Sequence, residues 1–450
     1  MFFLTFVTAM EIKKTEKDTK GQKERKKHSA EGRLHRKNWK EYTATVEDIQ
    51  NFIADRIVLR HNVITGRVEY RWPSSYEREG TEWQPINDRV VNSLWAELSQ
   101  GKAVRASDLY RVIESDFVPD YNPFTFYLEH LPPWNGDDHI MAMSVSVTVK
   151  GDVHEQMLFG EYLKKWLVGM VAGWVDPTVV NNVILVLIGE QGSYKTTWFN
   201  HLLPPDLASY FYTKTNANRM GRDDLLTLAQ YGLVCCEELD TMGSRELNQL
   251  KAAVTMPSID ERAAYAHFHE HRNHIASFCG TGNNTQFLND PTGNRRWLPF
   301  EVSCIESPRE SPFDYEGIYS QAYALYQQGF QYWFSQTEIE RLSLHNRQFE
   351  APRLESELVH LYFRKPIGIE AGEFMSVALA LQIVGAGIMQ KLSAVLLGRA
   401  FVELGFERKT VHNVRGYIVV RRSADEMRSL RILMASAGKG NTDTDDTDGF

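Results

Sequence analysis

The sequence predicts a mixed α/β protein. A central parallel sheet flanked by helices follows a smaller α+β unit and precedes a helix-and-hairpin unit. Three observations predict it. Residues 183–188 are six consecutive aliphatic residues ending at Gly189, the pattern of a strand buried on both faces. Leu233-Val234-Cys235-Cys236 and Ile275-Ala276-Ser277-Phe278-Cys279 are two more short apolar runs, each followed by polar residues. Leu397, Ala400, Phe401 and Leu404 recur at helical spacing before Gly405, and strand-like segments follow near 406–411 and 416–421.

The length of 450 residues predicts about three domains, and 43% hydrophobic residues supply a sizeable core. The net charge of −8 conceals an asymmetry: residues 11–40 hold 12 Lys and Arg against 5 Asp and Glu, so this stretch carries +7 and the remainder −15. Such an arm, disordered by composition, either contacts a polyanion or is a solvated tail. Cys235, Cys236, Cys279 and Cys304 have neither metal-ligand spacing nor a disulfide framework, which fits a reducing cytoplasm. The apolar stretch 2–10 lacks a basic flank and a small-residue cleavage site, so it does not read as a signal peptide. The stretch 375–389 is interrupted by Ser376 and Gln382 and is too short to cross a bilayer, so no membrane partner is expected.

From the first residue onward, the expected organisation is a basic disordered arm at 1–40 and an accessory α+β domain at 41–155. In the latter, Thr45 and Asp48 form a capping pair ahead of Val46, Ile49 and Ile53, and 58–71 reads as two strands around Thr65-Gly66. Phe159, Tyr162, Leu163, Trp166, Met170 and Trp174 form an apolar helical stripe leading into the strand at 183. The block 156–310 is the expected nucleotide-binding core, 311–355 a helical connector, 356–436 a winged-helix-like domain and 437–450 a disordered tail.

After the aliphatic strand come Gly189-Glu190-Gln191-Gly192-Ser193-Tyr194-Lys195-Thr196-Thr197. A strand, a loop and a helix start in this order cradle phosphates with backbone N–H groups. The Lys reaches the β- and γ-phosphates, and the Thr196 hydroxyl holds Mg²⁺. The sixth position, normally glycine, is Tyr194, so its side chain must point outward while the backbone keeps the loop shape.

Three further elements follow. Glu237 and Glu238 end an apolar strand about 40 residues after Lys195; Glu237 is assigned to the metal and Glu238 to activation of a water, on opposite sides because neighbours on a strand alternate. Solvated acids at a strand end are the plainer account. Asn283 ends the next strand and can hydrogen-bond the attacking water or the γ-phosphate; a Gly-Asn turn explains it equally well. Arg295 and Arg296, after a Gly-Asn turn, suit delivery of a guanidinium to a phosphate, where a surface basic pair is the alternative. His267, His269, His271 and His274, with Arg262 and Arg272, form either a hairpin that touches nucleic acid or a solvated one, and nothing frames them as a metal site.

With these elements in order, the chain resembles the virulence-associated protein E family over about residues 45–425. The resemblance extends to Tyr121-Asn122-Pro123, Leu131-Pro132 and the wing-like segments at Gly405-Phe406 and Gly416-Tyr417. It implies an AAA+ P-loop core of the superfamily 3 helicase kind, binding ATP and Mg²⁺. Lys195 and Thr196 would sit at the phosphates, Glu237 and Glu238 as the acidic pair, Asn283 as sensor, and Arg295 or Arg296 as an arginine finger. It also implies DNA, single- or double-stranded, as partner, a homo-oligomer such as a hexameric ring, and phage or other mobile-element replication in a bacterial cytoplasm.

Three functions compete. The first is an oligomeric, DNA-stimulated ATPase that translocates on or unwinds DNA. The second is a non-enzymatic module whose wing residues Lys391, Arg399, Arg408, Lys409 and Arg415 bind DNA, with Tyr194 marking a degenerate loop. The third is a nucleotide-driven switch acting on a partner protein.

Overall fold

The computed structural model describes residues 43–73, 82–215, 222–261, 270–288, 294–351, 353–386, 388–389 and 392–437. The basic arm, the acidic tail, Lys391, Arg262, His267 and His269 lie outside them.

Helix α1 (Val46–Arg56) opens on the expected capping box: the Asp48 N–H donates to Thr45 Oγ1 at 3.2 Å, and the Thr45 N–H donates to Asp48 Oδ2 at 2.9 Å. Strands β1 (Val58–Asn62) and β2 (Arg67–Arg71) form the expected hairpin, with Gly66 at φ +65° in its turn. Strand β3 (Gln84–Pro85), helices α2 (Asp88–Leu98) and α3 (Ala106–Ile113) and strand β4 (Asp120–Tyr121) complete the unit. Its sheet order is β3-β2-β1-β4, and Ile49, Ile53, Leu59, Leu94 and Leu109 belong to its own small core.

The chain then enters the main body through α4 (Pro123–Glu129), α5 (His139–Ser144), β5 (Val147–Val149) and α6 (Val153–Val175). Next come β6 (Ile184–Ile188), α7 (Lys195–Asn200), β7 (Phe211–Lys214), α8 (Arg222–Gln230), β8 (Leu233–Cys236) and α9 (Ser244–Val254). A hairpin of β9 (Ser258–Glu261) and β10 (Glu270–Asn273) precedes β11 (Ser277–Gly282) and β12 (Trp297–Ile305). Six strands pair in the order β5-β12-β6-β11-β8-β7. All are parallel except β5, which runs antiparallel on β12 at the edge. Every residue of β6, β8 and β11 is buried, which is why these strands read as unbroken apolar runs rather than alternating ones.

Two sequence expectations need adjusting. The stripe on α6 is only part of its buried surface: Val168, Val171, Ala172 and three glycines are buried as well, because α5, α10 and the sheet enclose the helix. A boundary at 155 also cuts through one packing unit. Phe124, Leu128, Ile140, Val147 and Val149 share the core of α6 and the sheet, and β5 is itself a strand of that sheet.

Helices α10 (Tyr315–Gln327), α11 (Gln336–His345) and α12 (Leu354–Tyr362) follow. The last unit holds β13 (Phe363–Arg364), β14 (Glu373–Ser376), α13 (Val377–Gly385), α14 (Ala394–Glu403), β15 (Arg408–Val411), β16 (Val414–Arg421) and α15 (Ala424–Ala437). Gly405, at φ +71°, follows α14 where a helix C′ residue belongs. The β15–β16 turn places His412 and Asn413 at positive φ, the two-residue turn that matches strand twist.

Helix α6 is fastened to the sheet by polar bonds inside the core. The Trp166 indole N–H donates to the Phe278 carbonyl at 3.0 Å, and Asn181 Nδ2 donates to the Trp166 carbonyl at 2.9 Å and to Ser277 Oγ at 3.1 Å. Trp166→Ala should therefore destabilise the protein by about 3–5 kcal/mol. Trp166→Phe, which keeps most packing but removes the indole donor, should cost about 0.5–1.5 kcal/mol. Urea unfolding of the two variants beside wild type checks the order.

Candidate functional site

Three parallel strands bring the expected residues to one end of the sheet. Strand β11 lies between β6 and β8, with Gly282 opposite Ile188 and Gly280 opposite Cys236. The loop after β6, the acids after β8 and Asn283 after β11 therefore leave the sheet side by side. The carboxyl ends of parallel strands are where open α/β sheets bind ligands.

The loop after β6 is built by local backbone demands. The Gly189 N–H donates to the Gly282 carbonyl at 3.1 Å, tying the loop to β11. A side chain at Gly189 would meet Val302 Cγ2 at 2.9 Å and the Val302 carbonyl at 3.0 Å, so close approach demands glycine there. Gly192 sits at φ +85° and Tyr194 at φ +61°, ψ 12°, just before α7 begins at Lys195. Tyr194 thus takes up the left-handed conformation a glycine would adopt without strain, and its side chain, 50% exposed, projects outward as the sequence required. Glu190 and Gln191 are exposed, and Ser193, Thr196 and Thr197 are half-buried around the helix start.

Lys195 occupies the centre of the loop and is only 7% exposed. Its ammonium donates to the carbonyls of Gly189 at 2.8 Å and Glu190 at 2.7 Å, to Ser193 Oγ at 3.2 Å, and reaches Asn283 Oδ1 at 3.4 Å. Burial pushes its pKa below the usual lysine value, and the Asp240 carboxylate opposes that shift. Lys195 and Asn283, about 90 residues apart in the chain, are thereby brought together.

The acidic element differs in detail from the sequence reading. Strand β8 ends at Cys236, and Glu238 has φ +55°, so the chain has turned before the second acid. Alternation along a strand therefore does not govern the two glutamates. Glu237, half-buried, continues the pairing towards β7 by donating its N–H to the Lys214 carbonyl at 3.2 Å, and Glu238 is exposed. The turn swings Asp240 back over β11. Its Oδ2 accepts the Asn284 N–H at 3.1 Å, while its Oδ1 is buried without a hydrogen-bond partner. A side chain at Gly282 would meet that same Oδ1 at 3.2 Å. Asp240 is the acid that the sequence reading missed. The only signal for it was an acid three residues beyond Glu237, and it becomes legible once the turn at Glu238 is known.

A buried carboxylate oxygen without a hydrogen-bond partner, on an acid near enough to Lys195 to act on its pKa, fits the oxygen-donor chemistry of Mg²⁺. Among the described residues no group of three or more His, Cys, Asp or Glu forms a metal cage, so most of the ion's ligands would come from phosphate and water.

Arg295 and Arg296 do not join this cluster. They lie in a 3₁₀ turn immediately before Trp297, which pairs with Ile184 at the start of β6, while Glu301 pairs with Ile188 at its end. Five residues of strand, about 15 Å, separate the arginines from the loop of the same chain. Of the basic residues singled out in the histidine hairpin, the described ones are His271, which is exposed, and Arg272 and His274, which pack inward. His274 is buried, with Nδ1 at 2.7 Å from the Met256 carbonyl and a pKa lowered by burial, and Arg272 is packed against Gly66 of the β1–β2 turn. On the wing, Arg408, Lys409 and Arg415 are exposed and Arg399 is half-buried. No described helix is long and apolar enough to cross a membrane.

Holding a tyrosine at left-handed φ costs about 1–2 kcal/mol. Tyr194→Gly should raise the unfolding free energy by about 0.5–1 kcal/mol, the remainder being offset by the freer unfolded glycine. Thermal unfolding of the two proteins checks it, and a lower Tm for the glycine form would show that the ring contributes more than its conformation costs.

The model for the virulence-associated protein E-like domain matches residues 128–351. A search of curated proteins gives no match. Among solved structures, the apo C-terminal region (305–718) of NrS-1 is similar at 11% identity and a TM-score of 0.43, covering 83% of this chain and 98% of that one. A second apo structure of that region, called the A form, gives 12% identity and a TM-score of 0.41 with the same coverage. Residues 128–351 of this chain, which hold the six-stranded sheet and the loop, acid and asparagine at its carboxyl end, belong to the virulence-associated protein E-like domain family.

Proposed function

We propose that this protein is an ATP- and Mg²⁺-dependent ATPase with an AAA+ type core that moves along or unwinds DNA, in the replication of phage or other mobile-element DNA. The observation that carries the proposal is the convergence of Lys195, Asn283 and Asp240 at the carboxyl ends of β6, β11 and β8. Family membership of residues 128–351 supports the mobile-element setting.

In this reading the loop N–H groups and Lys195 bind and orient the triphosphate. The Gly189 and Glu190 carbonyls hold the Lys195 ammonium in the loop, while its two longer contacts, to the Ser193 hydroxyl and the Asn283 amide, are side-chain acceptors that can yield to phosphate oxygens. Mg²⁺, held by the Thr196 hydroxyl with Asp240 and Glu237 behind it, would neutralise phosphate charge. Exposed Glu238 accepts a proton from the attacking water, and Asn283 orients that water. Arg295 or Arg296, remote from the loop of their own chain, act on the nucleotide of a neighbouring copy in a homo-oligomer, as an arginine finger supplied in trans. The exposed Arg408, Lys409 and Arg415 on the wing supply salt-sensitive phosphate contacts to DNA.

Degeneracy of the loop, the basis of the binding-module reading, loses its motivation in the backbone: Tyr194 keeps the left-handed conformation and turns its ring away from the loop interior.

The test is Mg²⁺-dependent ATP hydrolysis with and without DNA at low salt. Lys195→Ala and Asp240→Asn should each lower kcat by about 10²–10³ with unchanged far-ultraviolet circular dichroism. Arg295→Ala or Arg296→Ala, whichever removes the finger, should lower it by about 10³ or more. Wild-type protein that binds no nucleotide in the presence of Mg²⁺ overturns the proposal.

A further inference from the structure

At the strand-start end of the sheet, the two arginines open onto a cleft of about 250 Å³ bordered by Asn182, Val183, Arg295, Arg296, Trp333 and Ile339. Nothing in the sequence pattern singles out Trp333. The residue is 56% exposed, a large apolar group at the surface on the same cleft as two cations. The segment that carries it is fixed from behind. Lys165 on α6 donates to the carbonyls of Gln331 at 2.8 Å and Trp333 at 3.2 Å, and pairs with Glu338 at 3.1 Å. The same ammonium lies 5.4 Å from the Phe334 ring centre, and Ser335 caps α11 through the Glu338 N–H. With its carbonyl pinned and the next helix capped, the indole projects from a rigid base.

An exposed indole beside paired guanidinium groups is the chemistry that receives a nucleobase and its phosphates together. The cleft lies at the wrong end of the sheet for the nucleotide of its own chain. Charge favours one occupant, a second copy of this chain. The loop end carries Glu190, Glu237, Glu238 and Asp240, and the opposite end carries Arg295 and Arg296. Head-to-tail stacking sets one against the other, and such heterologous contacts form a ring where the rotation between copies closes.

We propose that Trp333 is the base-stacking wall of the nucleotide site in a neighbouring copy, completing from outside a pocket whose phosphate half is the 189–197 loop. This rests on the ATPase reading. The indole of one copy packs on the base of the nucleotide held by the next, while the adjacent arginines reach its phosphates.

The experiment uses the full chain as wild type, Trp333→Ala, Trp333→Phe, Lys195→Ala, and mixed oligomers of Trp333→Ala with Lys195→Ala. Trp333→Ala should raise KM for ATP about tenfold with a much smaller change in kcat, and Trp333→Phe should recover most of the loss. In the mixture, a Trp333→Ala copy supplies an intact loop and its Lys195→Ala neighbour supplies an intact indole. Sites with wild-type KM should therefore appear although neither variant has them alone. Wild-type KM in Trp333→Ala, or a mixture that shows only the KM of Trp333→Ala, overturns the inference while leaving the ATPase reading intact. A wild-type protein without turnover removes both.

Discussion

The site depends on the insertion of β11 between β6 and β8. Two parallel ladders, Phe278–Gly282 on 184–188 and Ser277–Gly280 on Leu233–Cys236, fix where three chain segments leave the sheet. A slip of one ladder by a single residue would exchange the two faces of a strand buried on both sides. Asn283 would then no longer reach Lys195, and Asp240 would lose the Asn284 N–H. The ladders are themselves protected by dense packing: Gly280 has no room for a side chain, since a Cβ there would run into Leu239 Cδ1, and Leu239 is fully buried beside Asp240. The core contact and the acid at the site are thus neighbours in the same turn.

Support for this arrangement reaches beyond the sheet. The Trp166 indole donates to the Phe278 carbonyl in the middle of β11, and Asn181 bridges α6 to Ser277 at its start. Helix α6 is therefore a clamp on the strand that organises the site, which explains why it is buried around most of its circumference. Strand β5 extends the sheet from the other side, and its successor Lys150 pairs with Glu301 at 2.6 Å, next to the Val302 backbone that abuts Gly189. Residues before the expected core boundary at 155 thus help to shape the 189–197 loop from behind.

How much of this was legible in the sequence follows from what kind of physics set each part. Strands buried on both faces announce themselves as aliphatic runs, so β6, β8 and β11 and the residues after them could be read directly. Local capping was equally plain at Thr45 and Gly405, where side-chain chemistry and glycine act within four residues. Asp240 was not legible. Its place depends on a left-handed residue at Glu238, a backbone choice that the residue type disfavours and that burial of Leu239 and the Thr241 bonds to the Glu238 carbonyl hold in place. The arginines were recognised, but not their distance from the loop, because that depends on strand direction and register. Trp333 was invisible for a similar reason: an aromatic residue in a connector reads as core, whereas this one is exposed on a segment that Lys165 holds by its carbonyls.

The distribution of strained backbone leads one step further. Four non-glycine residues in the described chain have positive φ: Tyr194, Glu238, His412 and Asn413. The last two make a two-residue hairpin turn that demands such angles whatever the function. Tyr194 and Glu238 have no such excuse, and both stand at the carboxyl end of the central sheet, one before the lysine and one before the aspartate. Residues held in disfavoured regions persist where the surroundings over-determine them, and they concentrate where geometry matters more than stability. In both places the strained residue is exposed while the next functional side chain, Lys195 or Asp240, is drawn inward towards the other. The two turns therefore act as a matched pair: each uses backbone strain to aim one charge at the space between the strands, where Lys195 is held by the loop carbonyls, Ser193 and Asn283 and Asp240 by the Asn284 N–H.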